Sequence, residues 1–189
     1  RQACAAVGQC ELMYIYDKLF SEYHHTVAQL LTTADNLTNE TRHGNFTNTL
    51  TRLLELGVVP VINENDTVAT EEIVIGDNDT LAANVAKSVG AQLLILLSDI
   101  DGLYTADPHT NPNAKLLPVV RRVDEDIKKL AGVSSTTQGT GGMVTKLRAA
   151  EICLDCGCEM VIANGNNPAA LYDIVEGKPV GTRFVGERT

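Results

Sequence analysis

Three short, unbroken apolar runs constrain this chain more than any other feature: Val58-Val59-Pro60-Val61-Ile62, Leu93 to Leu97, and Met160 to Ala163. Each predicts a strand, the first of them buried, and Leu93 to Leu97 reads as a central parallel strand covered on both faces by helices. Pro60 suits an edge-like position within its strand. Helical spacing fills the gaps between these runs. From Gln2 to about Tyr23, Val7, Leu12, Ile15 and Leu19 recur at roughly helical spacing, which predicts a helix that feeds a β-prone segment, Val27 to Leu31. Asp35 or Asn36 can cap the next helix, in which Phe46, Leu50, Leu53 and Leu54 share a face and Gly57 is the stop. Further helices are predicted over 81–89, 124–130, 143–156 and 169–175, with Ile73-Val74-Ile75 a short strand in a hairpin excursion. This alternation predicts an α/β fold, a three-layer αβα sandwich around a mainly parallel sheet.

A length of 189 residues with 44% hydrophobic content suits one globular domain. The net charge of -9 works against phosphate backbones and anionic membrane surfaces, so neither nucleic acid nor a membrane is expected as a partner. No apolar run approaches the roughly 20 residues that span a bilayer, and no secretory leader is visible, which predicts a cytoplasmic protein. The five cysteines are odd in number and not spread like a disulfide framework. Cys153 and Cys156 have the spacing of half a zinc site, but no second pair completes it, and small apolar helix residues are the preferred reading. Arg1 in place of an initiator Met leads us to expect a start that is truncated.

In parallel sheets, ligands collect beyond the C-terminal strand ends. Three polar segments follow strands in this way: Asn63 to Asp66, Ser98 to Asp101, and Asn164 to Asn167. A fourth element, Gln138-Gly139-Thr140-Gly141-Gly142-Met143-Val144-Thr145-Lys146, runs from a glycine-rich loop into a helix, whose bare N–H groups can face an anion. Lys146 would lie one turn in, where an ammonium can neutralise a phosphoryl group. A plain glycine-rich turn is equally compatible with composition alone. Two acidic clusters, Asn63-Glu64-Asn65-Asp66 and Gly76-Asp77-Asn78-Asp79, precede the loop, the second placed just before a helix. Carboxylates there can bind a substrate ammonium or orient lysines, although Asp79 could equally be an N-cap and Asn63 to Asp66 a solvated turn. The long segment Ser98-Asp99-Ile100-Asp101-Gly102-Leu103-Tyr104-Thr105-Ala106-Asp107-Pro108 reads as a β-hairpin over which a nucleotide could lie.

Asp101 to Pro108 is similar to the nucleotide-binding hairpin of the amino acid kinase family, and Gly139 to Lys146 resembles that family's second ATP-binding loop. With the two acidic clusters in the same order, the resemblance covers essentially the whole chain. It is greatest to the branch whose acceptor is free glutamate. The resemblance implies a carbamate kinase-like fold and ATP-dependent transfer to the γ-carboxylate of glutamate, the first step of proline synthesis. Asn63, Asp66 and Asn78 would hold glutamate, and Asp79 would orient the lysines. Ser98, Asp99, Tyr104 and Asp107 would bind ATP together with Thr140, Gly141, Gly142, Met143, Val144, Thr145 and Lys146, the last also stabilising the transition state. Mg²⁺ would screen charge, with no residue assigned as its ligand, while proline would be a feedback inhibitor and the protein a homo-oligomer. A carboxylate acceptor needs no general base, in keeping with the reading of His24, His25, His43 and His109 as surface residues.

Other members of the family, N-acetylglutamate kinase, aspartokinase and uridylate kinase, are alternatives, as is a non-catalytic amino-acid sensor. The family's N-terminal Lys-x-Gly-Ser/Thr strand and its Ser-Gly-Ala-like segment are missing from these residues. We therefore expect residues 1–189 to form one kinase domain incomplete at its N-terminus, with no PUA domain and no activity of its own.

Overall fold

The protein is described here by a computed structural model, which covers residues 2–68, 77–108, 110–133 and 142–186. Two compact units divide the chain, Arg1–Asn78 and Asp79–Thr189.

The first unit runs α1 (Gln2–Ser21), β1 (Val27–Thr32), α2 (Ala34–Thr38), α3 (Glu40–Glu55) and β2 (Val59–Glu64). β1 and β2 are parallel from Val27↔Val59 to Thr32↔Glu64, with α2 and α3 as the crossover that parallel pairing requires. The helix start differs from expectation. Thr33 precedes α2, and its N–H and hydroxyl both donate to the Asn36 side chain, at 2.9 and 2.8 Å. Asn39 then caps α3 by accepting from the Arg42 N–H at 3.1 Å. Several cap-competent residues in succession thus split one predicted helix into a short and a long one.

Phe46 and Leu50 of α3 are buried, whereas Leu54 faces solvent, so the apolar face is narrower than its spacing suggested. α3 ends as predicted at Gly57, whose φ of +71° lets the N–H groups of Gly57 and Val58 return to the carbonyls of Leu54 and Leu53. Helices α4, α6 and α7 below close by the same pair of bonds. The expected helix before β1 is present as α1, with Val7, Ile15 and Leu19 74%, 45% and 53% exposed and no residue fully buried. β2 also runs further than its apolar run and takes in Asn63 and Glu64.

The second unit carries α4 (Asn78–Val89, its first residue ending the first unit), β3 (Leu93–Ser98), β4 (Val119–Val120), α5 (Glu125–Val133), α6 (Met143–Asp155), β5 (Glu159–Asn164), α7 (Ala170–Val175) and β6 (Thr182–Phe184). Its sheet has the order β3-β5-β6-β4, parallel except where β5 meets β6. β5, rather than β3, is the deeply buried strand. Met160 and Ile162 join a core with Ala149, Ala150 and Cys153 of α6, while Val161 and Ala163 join a second cluster with Ile174 of α7. Alternate residues therefore serve two cores, which is why the run has no polar position. The short strands β4 and β6 escaped the sequence reading, since two or three residues carry no period. α5 begins after Asp124, not at it: Asp124 Oδ1 accepts from the N–H groups of Asp126 and Ile127, and the Ile127 bond foremost holds its carboxyl below the usual range.

Between β3 and β4 the predicted hairpin is present. Leu103 and Thr105 pair with Leu117 and Lys115. Its anchor is Thr182 of β6, fully buried, whose hydroxyl accepts from the Leu103 N–H at 2.8 Å and donates to the Leu117 carbonyl at 2.6 Å. Gly102 is needed here, because a Cβ would stand 2.4 Å from that hydroxyl.

Cys153 and Cys158 are buried, whereas Cys156 is exposed at the end of α6 instead of packing as an apolar helix residue. The lining of the described residues brings no three metal-ligating side chains together. Among the described residues no helix is long and apolar enough to cross a membrane. Burial pushes the Cys153 thiol up to about 12. Alkylation of the native protein at about pH 8, followed by mass spectrometry, should label Cys4, Cys10 and Cys156 and leave Cys153 and Cys158 unmodified. Thr182→Val, which keeps shape but strands two backbone groups, should lower unfolding stability by on the order of 2 kcal/mol in urea melts.

Candidate functional site

Within the second unit the best-defined polar constellation joins α4 and α6. Asp79 is the second residue of α4, not a cap before it, so its side chain is free of the capping role that sequence left open. Its Oδ2 accepts from Lys146 Nζ at 3.1 Å and from the Thr145 hydroxyl at 2.7 Å. The Lys146 and Asp79 side chains are only 9% and 17% exposed. At such depth an ion pair is retained only with close geometry and added hydrogen bonds, and Thr145 supplies one.

The sequence dictates this arrangement locally. Gly142, extended at φ -74° and ψ -175°, stands before α6, and the helical turn from Met143 brings Thr145 and Lys146 to neighbouring positions. Thr145 Oγ1 also lies 2.8 Å from the Gly142 carbonyl, tying the helix start to the carboxylate below it. Met143 is buried and Val144 exposed. A helix N-terminus of this kind offers unpaired N–H groups and a partial positive charge to an anion. Thr140 and Gly141, with the rest of the glycine-rich loop from Gln138, lie outside the described residues, as do Ile73 to Gly76 and His109.

A second cluster forms where β3 and β5 end side by side. Ser98 pairs with Asn164 in the strand register, and the Gly165 N–H donates to the Ser98 carbonyl at 2.8 Å. The Ser98 hydroxyl donates to Asp99 Oδ1 at 3.1 Å. Asp101 accepts on both oxygens, from Asn164 Nδ2 at 2.8 Å and from the Tyr104 hydroxyl at 2.9 Å. Partial burial, then this carboxylate, raises the Tyr104 phenol above its ordinary value. Asp107 sits at the hairpin turn, its carbonyl accepting from the N–H groups of Thr110 and Asn111. Asp101 and Asn164 were legible as polar residues after strands, but their mutual bond was not. Thr182 gave no signal at all.

The first unit holds a separate feature. Asn63 at the end of β2 and Asp66 beyond it line a cavity of about 280 Å³, together with Leu31 and a face of α1. Asn63 is fixed at both ends: its Oδ1 accepts from the Glu64 N–H at 2.9 Å, and its Nδ2 donates to Gln9 Oε1 of α1 at 3.1 Å. The sequence reading missed Gln9. Its signal lies in the period 5, 8, 9, 12, where Ala5 and Gly8 leave room in front of the helix. Asn78, the remaining residue assigned to glutamate, opens α4 instead of preceding it.

A model described as the amino acid kinase family matches residues 1–164. The chain is 49% identical to the glutamate 5-kinase of Clostridium perfringens, over the whole chain and 71% of that protein. It is 55% identical to the glutamate 5-kinase of Carboxydothermus hydrogenoformans, over 97% of the chain but 49% of the relative, so it spans about half the length of some relatives it matches. In structure it is similar to carbamate kinase from Giardia lamblia, with a TM-score of 0.69 and 15% identity over 98% of this chain and 75% of that one. That likeness bears out the expected α/β fold with parallel sheets. The family model and the relatives near half identity together establish that this chain belongs to the amino acid kinase family.

Proposed function

We propose that the protein phosphorylates the γ-carboxylate of L-glutamate with ATP, giving γ-glutamyl phosphate and ADP, and so opens proline synthesis. The observation that carries the reading is the buried Lys146–Asp79 pair beside the start of α6, in a chain about half identical to glutamate 5-kinases. In the reaction a γ-carboxylate oxygen forms a bond to the γ-phosphorus of ATP as the bond to the β-phosphate bridging oxygen breaks. The acceptor is already ionised at neutral pH, so no residue need remove a proton. Positioning and charge stabilisation must supply the rate.

Each candidate residue takes a part in that scheme. Lys146 Nζ neutralises charge on the phosphoryl group in flight, and Asp79 with Thr145 keeps the ammonium aimed. The N–H groups at the start of α6, from Met143 and Val144, receive phosphate oxygens, joined by Gly142 and by Thr140 and Gly141 of the preceding loop. Ser98, Asp99, Tyr104 and Asp107 bind the rest of the nucleotide. Asn63, Asp66 and Asn78 hold glutamate, with the Asp66 carboxylate paired to its ammonium.

Mg²⁺ is consistent with this donor set only as part of MgATP. The described residues bring no three His, Cys, Asp or Glu side chains together, and Mg²⁺ commonly binds through phosphates and its own waters. When bound it would screen the phosphate charge. Proline as a feedback inhibitor and a homo-oligomeric assembly complete the proposal.

Glutamate-dependent ADP release by the complete protein tests the reading, with aspartate, N-acetylglutamate and UMP offered as rival acceptors. Turnover of one of these in place of glutamate would replace the substrate; binding of glutamate or proline without turnover would make the protein a sensor. Lys146→Ala should lower kcat by at least ~100-fold with little change in the KM for glutamate. Asp66→Ala should raise the KM for glutamate by ~10-fold or more with a smaller effect on kcat, and unaltered glutamate binding would remove Asp66 from the pocket.

A further inference from the structure

We propose that Gln9 is a specificity residue of the amino-acid pocket, its side-chain amide donating to the α-carboxylate of the bound substrate. This rests on the reading of the cavity beside Asn63 and Asp66 as the glutamate site. The cavity, at about 280 Å³, lies just under the ~300 Å³ at which pockets for drug-sized ligands begin, and so suits a small molecule. Its charge poses a problem for an amino acid. Glu64 and Asp66 give it two carboxylates, and none of the described residues lining it is Lys or Arg. An α-ammonium is well served there, whereas an α-carboxylate must find neutral donors.

Few such donors remain uncommitted. The Thr67 hydroxyl donates to Asn65 Oδ1, and Asn63 Nδ2 donates to Gln9 Oε1. Gln9 Nε2 is different: it is buried and has no acceptor among the described residues. A buried amide donor left unmade costs about 1 to 3 kcal/mol, so an acceptor arriving in the cavity recovers an interaction the empty pocket forgoes. The other half of the same amide holds Asn63 in place. Gln9 therefore acts twice, orienting a neighbouring pocket residue through its oxygen and meeting the substrate through its nitrogen. Gly8, beside Gln9 and lining the same cavity, has nothing within 4 Å of where a Cβ would stand, so the space next to the amide is open.

The test uses the complete protein and two ligands, L-glutamate and its α-amide, in which the α-carboxylate is neutral and the γ-carboxylate is kept. The wild type should bind glutamate more tightly than the α-amide in calorimetry. In Gln9→Ala, the Kd and KM for glutamate should rise ~10-fold or more while the KM for ATP stays within ~2-fold, and the preference for glutamate over the α-amide should collapse. Gln9→Glu keeps the length and an acceptor for Asn63 but replaces the donor by an anion, and should lose glutamate more steeply than the α-amide; it also supplies the readout if Gln9→Ala does not fold. Equal losses for both ligands would reduce Gln9 to a structural residue and overturn the proposal, as would unchanged glutamate affinity. A wild type that binds no glutamate and phosphorylates another acceptor would overturn the functional reading itself, before any variant is made, and this proposal with it.

Discussion

Burial of β5 on both faces is the constraint from which the second unit follows. Met160 and Ile162 on one side and Val161 and Ala163 on the other leave its backbone no water, so every amide must be met by a neighbouring strand. β3 and β6 provide those partners. The parallel register with β3 then places Ser98 directly opposite Asn164, and two strand ends become one polar ledge. The antiparallel register with β6 brings Thr182 against Ile162, and from there its hydroxyl reaches the hairpin. A purely hydrophobic requirement thus sets where the hydrogen-bonding groups of the candidate nucleotide site lie.

The Asp79–Lys146 pair is a different kind of commitment. Charges held at this depth gain little stability over apolar residues of the same size, because desolvation offsets most of their attraction. Their value lies in direction. Asp79 Oδ2 is shared between Lys146 and Thr145, so the carboxylate fixes the ammonium and the first turn of α6 with one atom. The region around Asn63 repeats the idea with neutral groups, each end of one carboxamide being held by a defined partner.

Much of this was legible in the sequence, for reasons that differ by residue. The apolar runs gave β2, β3 and β5 because runs without a polar position stand out from their flanks, although full burial is reached only in β5: Leu97 of β3 is exposed and β2 is buried only in part. Asn63, Asp66, Ser98 and Lys146 could be singled out as candidates because polar residues at strand ends and helix starts stand out against those runs. Asp79 could be singled out as a candidate by its chemistry but not placed correctly, since the helix begins at Asn78, earlier than its first apolar residue, Leu81. Periodicity predicted α1 but not its burial: the spacing of Val7, Ile15 and Leu19 says that a stripe exists, not that this chain covers it. Gln9 and Thr182 were illegible because their roles arise from partners 54 and 79 residues away.

The glycine-closed helix ends divide the labour between the two ends of the strands. From the last residue of α3, α4 or α6, only three residues intervene before the next strand starts: 56–58, 90–92 and 156–158. After β2 and β3 the stretch before the next element is longer, residues 65–77 and 99–118, whereas β1 and β5 pass to their helices through 33 and 165–169. Connections of the first kind are committed to turning and tolerate little change in length, whereas the longer one after β3 is held through Gly102, Leu103 and Leu117, and its exposed tip is the part that can vary. A scaffold built this way keeps its architecture while its chemistry diversifies, since new side chains can be tried at one rim and the other holds the frame.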